Sequence, residues 1–285
     1  RDMKGDLMAQ ISACNIGIKG YRQIVNKYGL YLVNEVIDDL LDYSEKLTRN
    51  EISLIKDGRY EHEEKLLDDG FQGGPYTLKL TVIVEGDNIT FDYTGTDKQI
   101  RGPINSPLSA TISATYYTMR CITNAHIPTN QGCHRPIKVV APEGTLVNCT
   151  MPIGCFQRMA TDHILVDLIM GAMAQAIPNK VMADSCGNNY DFCSGTNLET
   201  HPRGGEVNHR QYWGEIVPGG LGARSHSDGI TIMSCNVTNC PIPPLEAQEI
   251  EAPMLFLERS ILPNSEGAGK FRSGFSQRRK WKLAG

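Results

Sequence analysis

The feature that most restricts the fold is a change of hydrophobic period between the first 50 residues and the stretch after residue 77. Leu7, Ile11, Cys14, Ile18, Tyr21, Val25 and Tyr28 follow one another at alternating steps of four and three. That spacing puts them on one face of a helix. Gly29 then offers the left-handed residue that ends a helix. A second helix follows, with Val33, Val36, Ile37, Leu40, Leu41 and Leu47 inward. The short join predicts an antiparallel helical hairpin whose apolar residues are core. Further on the period becomes two. Leu78, Leu80, Val82 and Val84 alternate with Lys79, Thr81 and Ile83, and Ile89, Phe91 and Tyr93 alternate with Thr90 and Asp92. Glu85 to Asn88 between them reads as a four-residue-class loop, which makes a β-hairpin. A helical period first and a strand period after it make the chain α+β.

The same reading continues along the chain. Asp57-Gly58 and Asp68-Asp69-Gly70 are turn signals. Asn105 or Ser106 can cap a helix that has Pro107 in its first turn and runs to about Thr123. Ile137 to Val140 is a short strand, and Pro142 to Thr145 a turn. Thr161 can cap a helix carrying Ile164, Leu165, Leu168, Ile169, Met173 and Ile177. This helix is apolar nearly all round, so it should be the most buried of the chain. Asp162 stands in its first turn, where the helix dipole favours a carboxylate. From Ser185 onward the texture is short strands and loops. Ile230 to Cys235 and Met254 to Glu258 read as strands, and Pro241, Pro243 and Pro244 exclude a helix between them. The expected organisation is a helical hairpin over residues 1–56, packed on an α+β domain over 57–285, with buried central helices and a loop-rich C-terminal region.

Composition narrows the function classes. With 40% hydrophobic and 21% charged residues in 285, the chain has the balance of an ordinary globular protein. A net charge of −4 gives no reason to expect nucleic acid or an anionic membrane as partner. No apolar run approaches the roughly 20 residues that span a bilayer. The first ten residues are charged from the start, so no signal peptide is expected, and without an initial Met the natural start is expected to lie upstream. The nine cysteines are odd in number and scattered, which argues for free, mostly buried thiols in a reducing cytoplasm. Cys186 with Cys193 and Cys235 with Cys240 are the nearest approach to zinc spacing, but neither pair is a CxxC. Neither a GxGxxG nor a GxxxxGK[ST] loop is present, so no ATP site of the chain's own is expected.

Six stretches, in order, resemble the hydantoinase B/oxoprolinase family. Gly5-Asp6-Leu7 with Ala9-Gln10 is similar to its GDLxAQ segment, and Asp42-Tyr43-Ser44-Glu45 with Arg49 to its DYSExxxR helix. Asp92-Tyr93-Thr94-Gly95-Thr96 followed by Gly102-Pro103-Ile104-Asn105 resembles DFTGT…GPIN. Gly132-Cys133 with Arg135-Pro136, then Ala141 to Leu146, resembles GCxRP…APEGSL. Gly219-Gly220, Gly222-Ala223 and Asp228-Gly229 resemble GGGxGA…DG, and Gly267-Ala268-Gly269-Lys270 with Arg272 and Gly274 resembles the closing GGAGKxRGG. The chain departs from the family where many members carry GNVETSQR. Here Gln157 to His163 stands instead, with only Thr161 in agreement, which bears on substrate more than on fold. The tract from Asn188 to Cys193 also differs from the common oxoprolinase reading.

The resemblance implies a segment of a hetero-oligomeric amidohydrolase subunit that works with a hydantoinase A-type ATPase in hydrolysing a cyclic amide. A carboxylase-like subunit acting on a ketone, as in acetone or acetophenone carboxylases, is the alternative, and a non-catalytic scaffold segment is another. It further implies that ATP and its Mg belong to the partner. A divalent metal belongs to an N-terminal region of the family, and no metal ligand falls on this segment. The candidate pocket residues are Asn105, Cys133, His134, Asp162, Gly219 and Gly220. Cys133-His134 invites a Cys-His nucleophile reading, but adjacent residues on a strand point to opposite faces and do not easily pair; Cys133 packs beside a backbone role for Gly132, lines a pocket, or acts as a covalent nucleophile. Asp162-His163 is an acid/base pair, or a dipole partner beside a surface histidine. Asn105 caps a helix or touches substrate. The Gly219-Gly220 loop approaches a ligand with its N–H groups or makes a tight turn. Arg278-Arg279-Lys280 reads as solvated, and His201, His209 and His226 as structural or exposed. Asn105, Cys133, Asp162 and Gly220 are expected to converge on one concave surface.

Overall fold

A computed structural model describes residues 2–71, 73–187, 189–196, 211–251 and 254–283. The chain divides into two compact units, Arg1–Glu51 with His126–Pro136, and Ile52–Ala125 with Ile137–Gly285. In the first, α1 (Asp2–Tyr28) and α2 (Leu30–Ile52) are joined by Gly29 alone, at φ +84. Its N–H donates to the Val25 carbonyl at 2.8 Å, the single bond that closes a left-handed helix end. The two helices and their joint are as the sequence predicts. Their packing is not. Among the described residues α1 and α2 do not pack along their length, so they form a corner that touches near the turn, where Tyr21 Oη donates to Asn34 Oδ1. Leu7, Ile11, Ile18, Tyr21 and Tyr28 are exposed, as are Val36, Ile37 and Leu40; of the residues expected inward on α2, Val33 is buried. The helical period identifies a face that avoids water but not what covers it.

The end of α2 is held by polar contacts. Gln131–His134 forms a 3-10 turn. Asn130 Oδ1 accepts from Gly132 N–H at 2.9 Å, and its Nδ2 donates to Ser44 Oγ at 2.8 Å. Arg135 Nη1 donates to Asp42 Oδ1 at 2.6 Å and Glu45 Oε2 at 2.9 Å, while Arg49 Nε takes Glu45 Oε1 at 2.8 Å. The stretches 42–49 and 132–136 are therefore one device. A side chain at Gly132 would run into the Leu41 backbone carbonyl, which is the reason for a glycine there.

The second unit is built on a four-stranded sheet of order β1-β2-β3-β4. Its strands are β1 (Gly58–Leu66), β2 (Tyr76–Glu85), β3 (Asn88–Asp92) and β4 (Ile137–Val140). β1, β2 and β3 are antiparallel, and β3 and β4 are parallel. Glu85 pairs with Asn88, so the expected four-residue loop is a two-residue turn on Gly86-Asp87, with Gly86 at φ +63. Helices α3 (Leu108–Ile122) and α4 (Met159–Ala174) pack on each other, and α4 packs on β1 and β2. Leu165, Leu168, Ile169 and Met173 are fully buried in one cluster with Leu78, Leu80, Val82 and Phe91, so α4 is the buried helix that its composition predicts. The expected caps are corrected. Pro107 precedes α3 and Arg158 precedes α4, neither with a side-chain cap bond, and Thr161 lies inside α4 with its hydroxyl on the Ile104 carbonyl.

The remainder comprises β5 (Tyr190–Thr196) paired with β6 (Gln211–Val217), α5 (Leu245–Glu251), and β7 (Met254–Ile261) paired with β8 (Gln277–Leu283). Ile230 to Cys235 is not a strand; it runs through turns, with Ile232 at φ 49. Its backbone instead ties together the two glycine-rich stretches. Leu221 N–H donates to the Ile230 carbonyl at 3.0 Å, Met233 N–H to the Gly219 carbonyl at 2.9 Å, and Ile232 N–H to the Phe275 carbonyl at 3.3 Å. A Cβ on Gly220 would overlap the Gly274 backbone, and one on Gly219 would overlap Cys186. Neither glycine is left-handed, so both serve close backbone approach and not a tight turn. The run Arg278-Arg279-Lys280 lies on β8. Strand alternation leaves Arg278 and Lys280 exposed, but the Arg279 side chain is 2% exposed and ion-paired with Glu215 of β6, which corrects the solvated reading.

Candidate functional site

Titratable side chains of the second unit stand along the seam between α3 and α4. A turn from Cys235 to Thr238 lies over it. Asn236 Oδ1 accepts from Tyr117 Oη of α3 at 3.2 Å, and Thr238 Oγ1 bonds His163 Nε2 of α4 at 2.7 Å. This turn separates two hollows, of about 330 and 460 Å³. The first opens between the starts of both helices and is lined by Pro107, Ser109, Ser113, Arg158, Asp162 and Val237. Asp162 is 5% exposed. Its Oδ1 accepts from Ser106 Oγ at 2.6 Å, and Arg158 Nε stands 3.8 Å from Oδ2. Burial holds its pKa above the ordinary carboxylate range, opposed by the Ser106 bond and the Arg158 charge. A carboxylate so placed can exchange a proton with a molecule in the cleft.

The second hollow takes Tyr117 and Cys121 from α3, Met170 from α4, and Leu221, Arg224 and Asn236 from the loops. Burial pushes the Tyr117 pKa up to about 12. Arg224 places a positive charge near both the Tyr117 hydroxyl and the Cys121 thiol.

The expected pocket residues divide between the units. Cys133 and His134 belong to the helical unit. They stand on a 3-10 turn and not on a strand, so the two side chains do meet, with Cys133 Sγ 3.6–3.7 Å from the ring nitrogens and 2.9 Å from the Asn130 carbonyl. Asn105 is fully buried and saturated. Its Oδ1 takes Ile100 N–H at 2.8 Å, and its Nδ2 gives to the carbonyls of Ile100, Gly102 and Gly154 at 2.9, 2.8 and 3.1 Å. It clamps the loop that precedes α3, and neither caps the helix nor lines either of these two hollows. Asn105 and Asp162 are brought together through Ser106. Gly219 and Gly220 line neither hollow, although Leu221 beside them lines the second. His163, one reading of which was a surface histidine, is 1% exposed. His226 is exposed as expected, whereas Asn188, His201 and His209 fall outside the described residues. The eight cysteines whose side chains are described are free, and among them only Cys133 and Cys235 are buried, so mostly buried thiols are not found among those eight. Among the described residues no three His, Cys, Asp or Glu side chains are grouped to hold a metal ion, and no helix is long and apolar enough to cross a membrane.

The sequence reading did not single out Tyr117, Arg224 or Asn236. Arg224 directly follows the Gly222-Ala223 motif, which was the available signal. It also passed over Asp167, on the inner side of α4. Asp167 is 4% exposed, and burial pushes its pKa up to about 6, although Ser185 N–H and Oγ bond the carboxylate at 3.3 and 2.9 Å. Between about pH 4 and about 6 the folded state therefore holds a proton on Asp167 more firmly than the unfolded chain does. Its contribution to stability is greatest in acid and is lost as pH rises from about 4 through about 6. Asp167→Asn should remove that loss. Its unfolding free energy minus that of the parent should grow across this window by up to about 3 kcal/mol, at about 1.4 kcal/mol per pKa unit. Denaturant titrations at a series of pH values measure it, and a difference independent of pH would contradict it.

Comparison with known proteins places these features in context. The family model for hydantoinase B/oxoprolinase matches residues 1–285. The B component of a putative D-/L-hydantoinase from Pseudomonas sp. (strain NS671) is 34% identical over 97% of this chain and 47% of its own length. The 5-oxoprolinase of Dictyostelium discoideum is 30% identical over 96% of this chain and 20% of its own. The chain thus spans about half or less of these relatives. Among solved structures, the ATP-dependent caprolactamase from Pseudomonas jessenii superposes with a TM-score of 0.83 at 25% identity, over 99% of this chain and 48% of that one. Acetone carboxylase superposes with a TM-score of 0.79 at 14% identity, over 92% of this chain and 36% of that one, a likeness of fold.

Proposed function

Because the chain belongs to the hydantoinase B/oxoprolinase family, we propose that it forms part of a subunit that opens the C–N bond of a cyclic amide (a hydantoin, 5-oxoproline or a lactam) with an ATP-using hydantoinase A-type partner. The observation that carries this reading is the match, along nearly the whole chain, to a hydantoinase component, a 5-oxoprolinase and a caprolactamase component, all named for cyclic amides. Opening such a ring with water forms a C–O bond, breaks the C–N bond and moves a proton from the water oxygen to the leaving nitrogen. Asp162 is the residue of this chain suited to carry that proton. It is buried, lines an open cleft, and is held through one oxygen by Ser106, with Arg158 3.8 Å from the other. Arg158 and the starts of α3 and α4 set a positive potential at the same place, which suits an anionic tetrahedral oxygen.

ATP chemistry is assigned to the partner. The divalent metal that the family resemblance implies is assigned to the part of the subunit outside this chain. The ligand set among the described residues does not suit a metal, and no step here runs through one. The free thiols suit a reducing compartment, and the cytoplasm is the proposed location. The test is ring opening by the subunit reconstituted with its A-type partner, on hydantoin, 5-oxoproline and caprolactam. One of the three should turn over, and Asp162→Asn should lower kcat by about a hundredfold or more, as loss of a general acid–base does, with assembly intact. Full turnover by Asp162→Asn would reduce this segment to a scaffold.

A further inference from the structure

The second hollow is used by nothing in the proposed chemistry, and its lining is distinctive. Three basic side chains, Lys180, Arg224 and His226, stand on it, and no Asp or Glu does. The apolar part of the lining is Met170, Val181, Met182, Leu221, Ile230 and Met233, of which Met170 and Leu221 are buried, and the Tyr117–Asn236 pair supplies hydroxyl and amide groups. Among the described residues the Arg224 guanidinium has no carboxylate partner, although its backbone is fixed by a bond from its N–H to the Ser227 carbonyl at 2.9 Å and by pairing with Met182. We propose that this hollow is a binding site for a small organic monocarboxylate, with Arg224 on the carboxylate and the methionine lining on an aliphatic body.

The lining carries this assignment. A guanidinium takes a carboxylate through two parallel N–H bonds, which a neutral amide cannot reproduce. An amine would meet only like charge. An inorganic anion would satisfy the basic side chains but leave the apolar lining wet. Methionine side chains adapt to varied aliphatic shapes, and a hollow of about 460 Å³ lies within the usual range for small-molecule sites. The site stands apart from the cyclic-amide reading. It holds whether or not the subunit turns over an amide, and Arg224 and Met233 have no part in the Asp162 cleft.

Calorimetric titration of the intact protein with hexanoate, hexanamide and inorganic phosphate tests it. Hexanoate should bind saturably, with hexanamide and phosphate at least about tenfold weaker, the loss expected when a charge-assisted pair is absent. Arg224→Gln should weaken hexanoate by about tenfold or more with Tm unchanged. Met233→Trp, which fills the hollow, should abolish binding. Equal binding of hexanamide or phosphate, hexanoate binding untouched by Arg224→Gln, or no saturable binding up to about 10 mM, a concentration that detects even millimolar affinity, would overturn the proposal.

Discussion

Leu165→Ala and Ile169→Ala should each destabilise the α+β unit by about 2–5 kcal/mol, the cost of removing most of a large aliphatic side chain from a packed interior. Both side chains are fully buried in the cluster that joins α4 to β1 and β2. Neighbours drawn from a sheet and from α3 cannot all close on the space left behind, so the lost transfer energy and the cavity add. Ile164, half-buried on the same helix, provides the internal comparison. Ile164→Ala should fall clearly below the other two in denaturant unfolding. A loss under about 1 kcal/mol for Leu165→Ala, well below the range for buried leucines, would place α4 at the surface.

Glu215→Ala or Arg279→Ala should have an effect of similar size for a different reason. The Glu215 side chain is 0% exposed and that of Arg279 is 2% exposed, and they form an ion pair. Gln248 Nε2 donates to Glu215 Oε1 at 3.2 Å, but Glu215 Oε2 and Arg279 Nη2 have no hydrogen bond among the described residues. Each charge therefore depends on the other for compensation, and burial already lowers the Arg279 pKa. Removing one partner strands the second, at about 3–5 kcal/mol, whereas replacing both with apolar residues of similar size is often neutral or stabilising. The double variant Glu215→Leu/Arg279→Met should accordingly recover most of the stability lost by either alanine. A double variant as unstable as the sum of both singles would show that the pair contributes more than its mutual dependence.

The elements that the sequence discloses are those whose burial is set locally. The α4 helix and the β2–β3 hairpin were legible because an apolar period fixes which face each presents to the core. β1 escaped notice because an edge strand reading Arg59-Tyr60-Glu61-His62-Glu63-Glu64 buries little until Leu66, and charged edge residues are how sheets avoid further pairing. β8 was hidden by its own charges, since nothing local to Arg279 announces Glu215. The residues from Ile230 to Cys235 look like a strand by composition, yet their carbonyls and N–H groups serve glycine loops far away in sequence. The same distance explains the motifs. Asp42 and Glu45 answer Arg135, with Arg49 on the other oxygen of Glu45, and Gly220 answers Gly274, so several of the most recognisable residues hold the fold together. Asn105 is another of these. Of the expected pocket, Asp162 lines a cleft, and Tyr117, Arg224 and Asn236 come together only once α3, α4 and the 235–238 turn have packed.

Ring opening driven by ATP on a partner is the property that most separates the proposed function from an ordinary hydrolase or a scaffold. It is measured by following ADP and ring-opened product together in the reconstituted pair, with the cyclic amide that turns over. Each ring opened should be matched by ADP released, neither product should form without the other protein, and withholding ATP should stop ring opening. Ring opening at an undiminished rate without ATP, or without the A-type partner, would contradict the proposed function.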